Sequence, residues 1–156
     1  MKYLMGIDIG TTGCKVGIYD KELNLRGTAY RNYHIISRQS GWAEEDPYEW
    51  WEKTIEAMQE SINMSGIEAA EICSIGVSCT NGIVPVDENG NPLYNAIMQI
   101  DGRTTKQVSE LEKIAGADKI FGITGNRVAP GTFSAPSIMW LKENEPVVYA
   151  RTYKFL

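Results

Sequence analysis

Near its amino terminus the chain reads Gly6-Ile7-Asp8-Ile9-Gly10-Thr11-Thr12-Gly13-Cys14-Lys15. An acid closes an apolar, β-prone run that begins at Tyr3, and a glycine, two hydroxyl side chains and a second glycine follow at once. From Cys14 to Tyr19 the pattern resumes as a strand, with Val16 and Ile18 on one face, so the segment reads as a hairpin. Dinucleotide-binding folds run strand, Gly-rich turn, helix, and this order excludes that pattern. The residue types are those that a magnesium-bound polyphosphate requires. A carboxylate such as Asp8 can hold Mg²⁺, directly or through its waters. The tight turn at Gly10 and Gly13 can face backbone N–H groups toward phosphate oxygens. Thr11 and Thr12 add hydroxyl donors, and Lys15 adds positive charge. The competing reading is a plain type I or II turn whose Gly and Thr serve only the backbone, because short Gly-rich motifs often match by chance.

Working outward, Asp20-Lys21-Glu22 makes the next turn and Leu25 to Ile36 reads as a third, more polar strand, completing an antiparallel three-stranded meander. Gln39 to Asp46 reads as a loop. A helix follows, with Asp46 as cap, Pro47 at its first position and Glu49 closing a capping box. Trp51, Ile55, Met58 and Ile62 then form one apolar stripe that packs on the sheet, and Gly66 ends the helix. Further strands are expected at Ile72 to Ser78 (buried), Ile83 to Val86 and Tyr94 to Ile100, with a tight turn at Glu88-Asn89-Gly90-Asn91. Helical patterning runs from Thr104 through Ile114, breaks at Gly116, Gly122, Gly125 and Pro130-Gly131, and closes with a helix from Ser137 to Glu143. The ending Tyr153-Lys154-Phe155-Leu156 looks like the start of an apolar strand with no polar tail, so the chain reads as cut.

Composition bounds the function. With 156 residues, one domain is expected, and folding should bury about two-thirds of the unfolded surface, enough for a core without disulfide or metal. At 43% apolar, 10% aromatic and 22% charged residues the chain is an ordinary globular sequence. Net charge is −5 and no two basic residues are adjacent, which speaks against nucleic acid or an anionic membrane as a partner. No apolar run approaches the ~18 residues that span a bilayer, and Asp8 falls too early for the apolar region of a signal peptide. Cys14, Cys73 and Cys79 lack metal-ligand spacing and read as small buried hydrophobes in a reducing cytoplasm. His34 reads as a solvated or hydrogen-bonded strand residue. Glu44-Glu45-Asp46 reads as acids drawn to a helix N-terminus, and Trp42 as a candidate for stacking on a sugar ring.

Asp8-Ile9-Gly10-Thr11-Thr12-x-x-Lys15 on a first hairpin resembles the first phosphate motif of the sugar-kinase, actin and heat-shock-chaperone ATPases. Ser40-Gly41-Trp42-Ala43-Glu44-Glu45-Asp46-Pro47 ahead of Trp50-Trp51 narrows this, being similar to the Gly-Trp-x-Glu-x-Asp-Pro block of the FGGY carbohydrate kinases, xylulokinases and glycerol kinases among them. Ile75 to Gly82 resembles their substrate-contacting turn, and Asp101-Gly102-Arg103-Thr104 their Asp-x-Arg. Ile123-Thr124-Gly125 and Ser134 to Leu141 continue the likeness along essentially the whole chain. The resemblance implies an α/β, ribonuclease H-like (actin-like ATPase) domain with a mixed sheet. Residues 1–156 would be part of a kinase N-terminal domain, with the second domain absent. It implies a cytoplasmic enzyme that phosphorylates a sugar or polyol hydroxyl with ATP and Mg²⁺.

Carried over position by position, the resemblance puts Asp8, Gly10, Thr11, Thr12, Gly13 and Lys15 at the nucleotide, with Asp8 on the Mg²⁺ side through water. Thr80, Asn81 and Gly82 would line the sugar pocket. Asp101 would either bond substrate hydroxyls or, with Arg103, brace the pocket. The general-base Asp of the family lies past residue 156, so no catalytic residue is expected in this chain and it should be inactive alone. The alternatives are a non-catalytic sugar- or nucleotide-binding module, an interaction domain, and an actin- or chaperone-type ATP switch, the last opposed by the Gly-Trp-x-Glu-x-Asp-Pro block and the Asp-x-Arg. An open sheet edge at Leu156 would let the chain self-associate as a homo-oligomer. Two departures from the family bear on substrate. Asn81 stands where xylulokinases carry His and, with Gly82, where glycerol kinases carry Arg-Glu. The Trp that precedes the family's Asp-x-Arg is missing near Gln99 and Ile100.

Overall fold

The computed structural model describes residues 2–132 and 134–156. Its strands are β1 (Tyr3–Ile9), β2 (Gly13–Tyr19), β3 (Leu25–Asn32), β4 (Glu44–Glu45), β5 (Ile72–Cys79), β6 (Gly82–Ile83), β7 (Pro85–Val86), β8 (Ala96–Met98) and β9 (Lys154–Phe155). Its helices are α1 (Pro47–Ser65), α2 (Thr105–Ala115), α3 (Ala117–Thr124), α4 (Ser134–Asn144) and α5 (Pro146–Arg151). The chain divides into two compact units: Met1–His34 with Tyr48–Thr80, and Ile35–Pro47 with Asn81–Leu156.

In the first unit β1, β2 and β3 form the expected antiparallel meander, and β5 adds parallel to β1, giving the order β3-β2-β1-β5. Strand periodicity places Tyr3, Met5 and Ile7 of β1 on one face with Cys14, Val16 and Ile18 of β2, all buried. Trp50, Met58 and Ile62 of α1 pack against that face. Each fully buried aliphatic side chain of this core, such as Val16 or Ile18, contributes roughly 1.5–3 kcal/mol. The helix stripe differs from expectation by one residue: Trp51 is 70% exposed, while Thr54, Ala57 and Ser61 are buried. The reason is close approach. A Cβ on Gly27 of β3 would collide with the Ser61 carbonyl oxygen, and the Ser61 hydroxyl donates to the Val16 carbonyl at 3.2 Å. Small residues set the distance between helix and sheet, so the larger apolar side chains flank the contact.

Strand β5 corrects a second expectation. Its apolar run suggested burial, but it is an edge strand, and Ile75 and Val77 are 52% and 64% exposed although register puts them on the core side with Met5 and Ile7. Cys73 and Cys79 are exposed as well, and only Cys14 is the buried thiol expected of all three. An apolar run reports β propensity, whereas burial depends on what lies beside the strand.

The second unit is built on a three-stranded sheet, β4-β8-β6, and the pair β7-β9. Ile83, Ile97, Trp140 and Leu141 form its core, flanked by Trp42, Tyr94, Ile138 and Phe155. The expected strand Ile83 to Val86 splits in two because it changes partner: Ile83 pairs with Ile97 of β8, whereas Val84 exchanges both backbone bonds with Leu156 and Pro85 pairs with Phe155 of β9. Helix α4 starts three residues before the expected Ser137, and α5 opens on Pro146, a residue suited to a first helical turn. Among the described residues no helix is long and apolar enough to cross a membrane.

Candidate functional site

The β1–β2 connection closes through a single backbone bond, Gly10 N–H to Gly13 O at 3.0 Å, leaving Thr11 and Thr12 at the tip. None of these four residues has positive φ, so the glycines are not needed for left-handed backbone. Gly13 is needed for space. A Cβ there would lie 2.5 Å from the Tyr30 hydroxyl and would also strike the Arg31 carbonyl. From beneath, the buried Tyr33 donates its hydroxyl to Gly10 O, and Tyr33 N–H reaches Thr12 O at 3.4 Å. The tip is therefore held by the core while its outer side stays open.

Asp8 and Lys15 are direct cross-strand partners on that outer side, and both are exposed. Among the described residues their side chains form no ion pair, and neither side chain has a hydrogen-bond partner. Their row continues to Tyr30 on β3 and Ser78 on β5. The next row is bare, with Gly17, Gly6 and Gly76 in register. Together with Tyr19, Asp8, Lys15 and Ser78 these glycines line an open cavity of about 430 Å³. Thr80 joins the same unit: its N–H donates to Ile9 O at 2.7 Å, and its hydroxyl lies 3.4 Å from that of Thr11. Asp8, Thr11, Thr12, Lys15 and Thr80 thus supply one carboxylate, three hydroxyls and one ammonium to the open end of one sheet.

In the second unit Asn81 is exposed and its carbonyl accepts Gln99 N–H at 3.1 Å, while Gly82 pairs with Met98. Asp101 is 1% exposed, and both its oxygens are taken. Oδ2 accepts Ala43 N–H at 2.6 Å and Arg103 Nη2 at 2.8 Å; Oδ1 accepts Arg103 N and Nε, each at 2.9 Å. Four bonds fill a carboxylate. Of the two roles considered for Asp101, this is the geometry of a brace. Glu44, read from sequence as a helix-end acid, is instead a fully buried residue of β4. It accepts Arg103 Nη2 at 2.8 Å, the Tyr94 hydroxyl at 3.2 Å and Asn95 Nδ2 at 2.9 Å.

The Arg103 guanidinium lies over the Trp42 ring at 3.8 Å and the Trp140 ring at 4.7 Å. Trp42, a candidate for sugar stacking, is thereby engaged by the protein itself. Burial opposes the Arg103 charge, but its bonds to Asp101 and Glu44 outweigh that, and its pKa stands above the ordinary arginine value. Burial, then the charge of Glu44, likewise raises the Tyr94 hydroxyl, against the pull of Arg103. His34 is exposed and pairs through Nδ1 with Glu49 at 3.0 Å. Sequence reasoning missed Glu44, Trp140 and Tyr30; the spacing of Asp101 and Arg103 was visible, but not which acid and which rings would meet them.

Residues 3–156 match the family model for the FGGY family of carbohydrate kinases, N-terminal domain. The chain belongs to that family. A xylulose kinase from Bacillus subtilis is 35% identical over 157 residues, covering 100% of this chain and 31% of the relative. A glycerol kinase from Borreliella burgdorferi is 35% identical over 146 residues, covering 92% of this chain and 29% of the relative. Among solved structures, a xyloylose kinase from Brucella ovis superposes with TM-score 0.91 at 29% identity, over 99% of this chain and 32% of that one. The chain thus spans less than a third of the length of these relatives, and its α/β fold is the opening part of the actin-like ATPase fold of the FGGY kinases. ATP use belongs to the family. Asp8 leaves one open carboxylate beside the turn, and among the described residues no three His, Cys, Asp or Glu side chains converge as a metal site.

Proposed function

We propose that the whole protein phosphorylates a sugar or polyol hydroxyl with ATP, and that this chain supplies its phosphate-binding turn and part of its sugar pocket. The observation that carries the reading is the unpaired Asp8–Lys15 pair beside an open Gly10–Gly13 turn, in a chain of FGGY kinase descent. Phosphoryl transfer asks a protein mainly for positioning and charge neutralisation. In this proposal backbone N–H groups of the turn and the hydroxyls of Thr11 and Thr12 face phosphate oxygens, and Lys15 offsets their charge. Asp8 would hold Mg²⁺ through water, since that ion keeps several waters and takes few protein carboxylates. Thr80, Asn81 and Gly82 would meet the substrate hydroxyls. Asp101 would keep the pocket in shape through Arg103.

A ketopentose such as xylulose is the first substrate to test, because xylulose kinases stand among the similar relatives. Asn81 offers an uncharged donor and acceptor to a hydroxyl. The cytoplasm is the proposed location, where ATP is present and the exposed Cys73 and Cys79 stay reduced. A coupled ADP-release assay over ketopentoses, aldonates and polyols tests the proposal. The full-length protein is expected to turn over at least one of them, and residues 1–156 alone none. Turnover by the isolated chain would refute the claim that its general base lies elsewhere, and silence of the full-length protein on every sugar would refute the kinase reading.

A further inference from the structure

Tyr30 is the one side chain at the phosphate turn to which neither the motif nor the family likeness gives a task. It sits on edge strand β3, directly opposite Lys15, in the row that continues to Asp8. Its ring leans along the strand onto Gly13, so that the phenol oxygen lies 2.5 Å from where a Gly13 Cβ would be. Glycine at position 13 is what admits it there. The side chain is 51% exposed, and its hydroxyl has no hydrogen-bond partner among the described residues. Tyr33 offers the contrast: buried, it donates to Gly10 O from the core side and holds the turn. Two tyrosines three residues apart thus touch the same turn from opposite faces, one consumed by the fold and one with its O–H unpartnered among the described residues, across the ladder from the ammonium of Lys15.

We propose that Tyr30 is a phosphate-binding residue, donating its phenolic O–H to an oxygen of the nucleotide's phosphate chain at the Gly10–Gly13 turn. This rests on the reading of that turn as a nucleotide site. A hydroxyl donor suits the position, because it adds a directed bond beside the charge of Lys15. The ring stiffens the donor, since a tyrosine orders with two torsions where a lysine orders with four.

The test uses the full-length protein and Tyr30→Phe, which keeps the ring over Gly13 and removes one O–H. Calorimetric titration with MgATP, without sugar, is expected to show about a tenfold weaker Kd, the usual loss for a hydrogen bond to a charged acceptor. The melting temperature without nucleotide is expected to be unchanged, because the hydroxyl has no partner among the described residues. An unchanged Kd overturns the proposal. So does a weaker Kd that comes with a lower melting temperature and is restored by cooling, since the hydroxyl would then act within the fold. Wild-type protein that binds no MgATP overturns both this proposal and the nucleotide reading. Protein that binds MgATP and shows the Tyr30→Phe loss, yet phosphorylates no sugar, overturns the kinase reading alone.

Discussion

Asp8 and Asp101 are the same residue type in two short motifs, and the fold treats them in opposite ways. Asp8 lies near the end of a strand whose outer side is open, and its carboxylate bonds to nothing among the described residues, even to Lys15 across the ladder. Asp101 is sealed, and four bonds from Ala43 and Arg103 fill it. A carboxylate left unpaired within reach of a cation is available to a ligand. One whose lone pairs are spent is part of the framework, because breaking its bonds would leave charges buried. What separates an acid open to a ligand from a bracing one is therefore its unspent hydrogen-bonding capacity, not its motif.

The strongest attempt to break this contrast removes the cation from the brace. Arg103→Met leaves Glu44 and Asp101 facing each other without their shared partner, and urea unfolding is expected to show a loss of about 3–5 kcal/mol. Arg103→Lys should recover little of it, since an ammonium can neither fork to two carboxylates nor stack flat between Trp42 and Trp140. A loss below about 1 kcal/mol would mean that the triad is not structural.

Asp8→Asn gives the opposite profile. Stability should stay within about 0.5 kcal/mol of wild type, while sugar phosphorylation by the full-length protein falls roughly 10²-fold. If Asp8→Asn unfolds the protein as Asp101→Asn should, the distinction fails. Smaller still is Gly13→Ala, whose methyl meets Tyr30 and the Arg31 carbonyl and should cost about 1–3 kcal/mol. Gly76→Ala, with nothing within 4 Å of its Cβ, should be neutral or slightly stabilising by the same measurement.

The smallest effect is alkaline. Burial and Glu44 raise the folded pKa of Tyr94 above the value near 10 of an unfolded tyrosine. A raised pKa means that the Tyr94–Glu44 contribution is complete below about pH 10 and fades as pH climbs through the folded value. Melting temperatures recorded between pH 8 and 11 should fall less steeply for Tyr94→Phe than for wild type.

Much of the first unit was legible along the chain. The meander from Tyr3 to Asn32 follows from alternation and turn residues, both local, and so does a helix opening at Pro47. The stripe on that helix was misplaced by one residue because periodicity selects large apolar side chains. The structure buries Thr54, Ala57 and Ser61 instead, where Gly27 lets the backbones approach. Glu44 and Glu45 misled for a related reason. Two acids ahead of a helix look like charges on a dipole, and only the arrival of Arg103, far along the chain, turns Glu44 into half of an ion pair.

By itself, then, the sequence determined the hairpin, the acid at its end and the hydroxyls at its tip, since these depend on neighbours a few residues apart. Which acid stays open, which arginine is clamped and which tyrosine reaches the turn were decided only in three dimensions. Those outcomes depend on residues distant in the chain competing for the same hydrogen bonds and the same space. A residue's type states what it can bond; the packing around it decides whether that capacity has already been used.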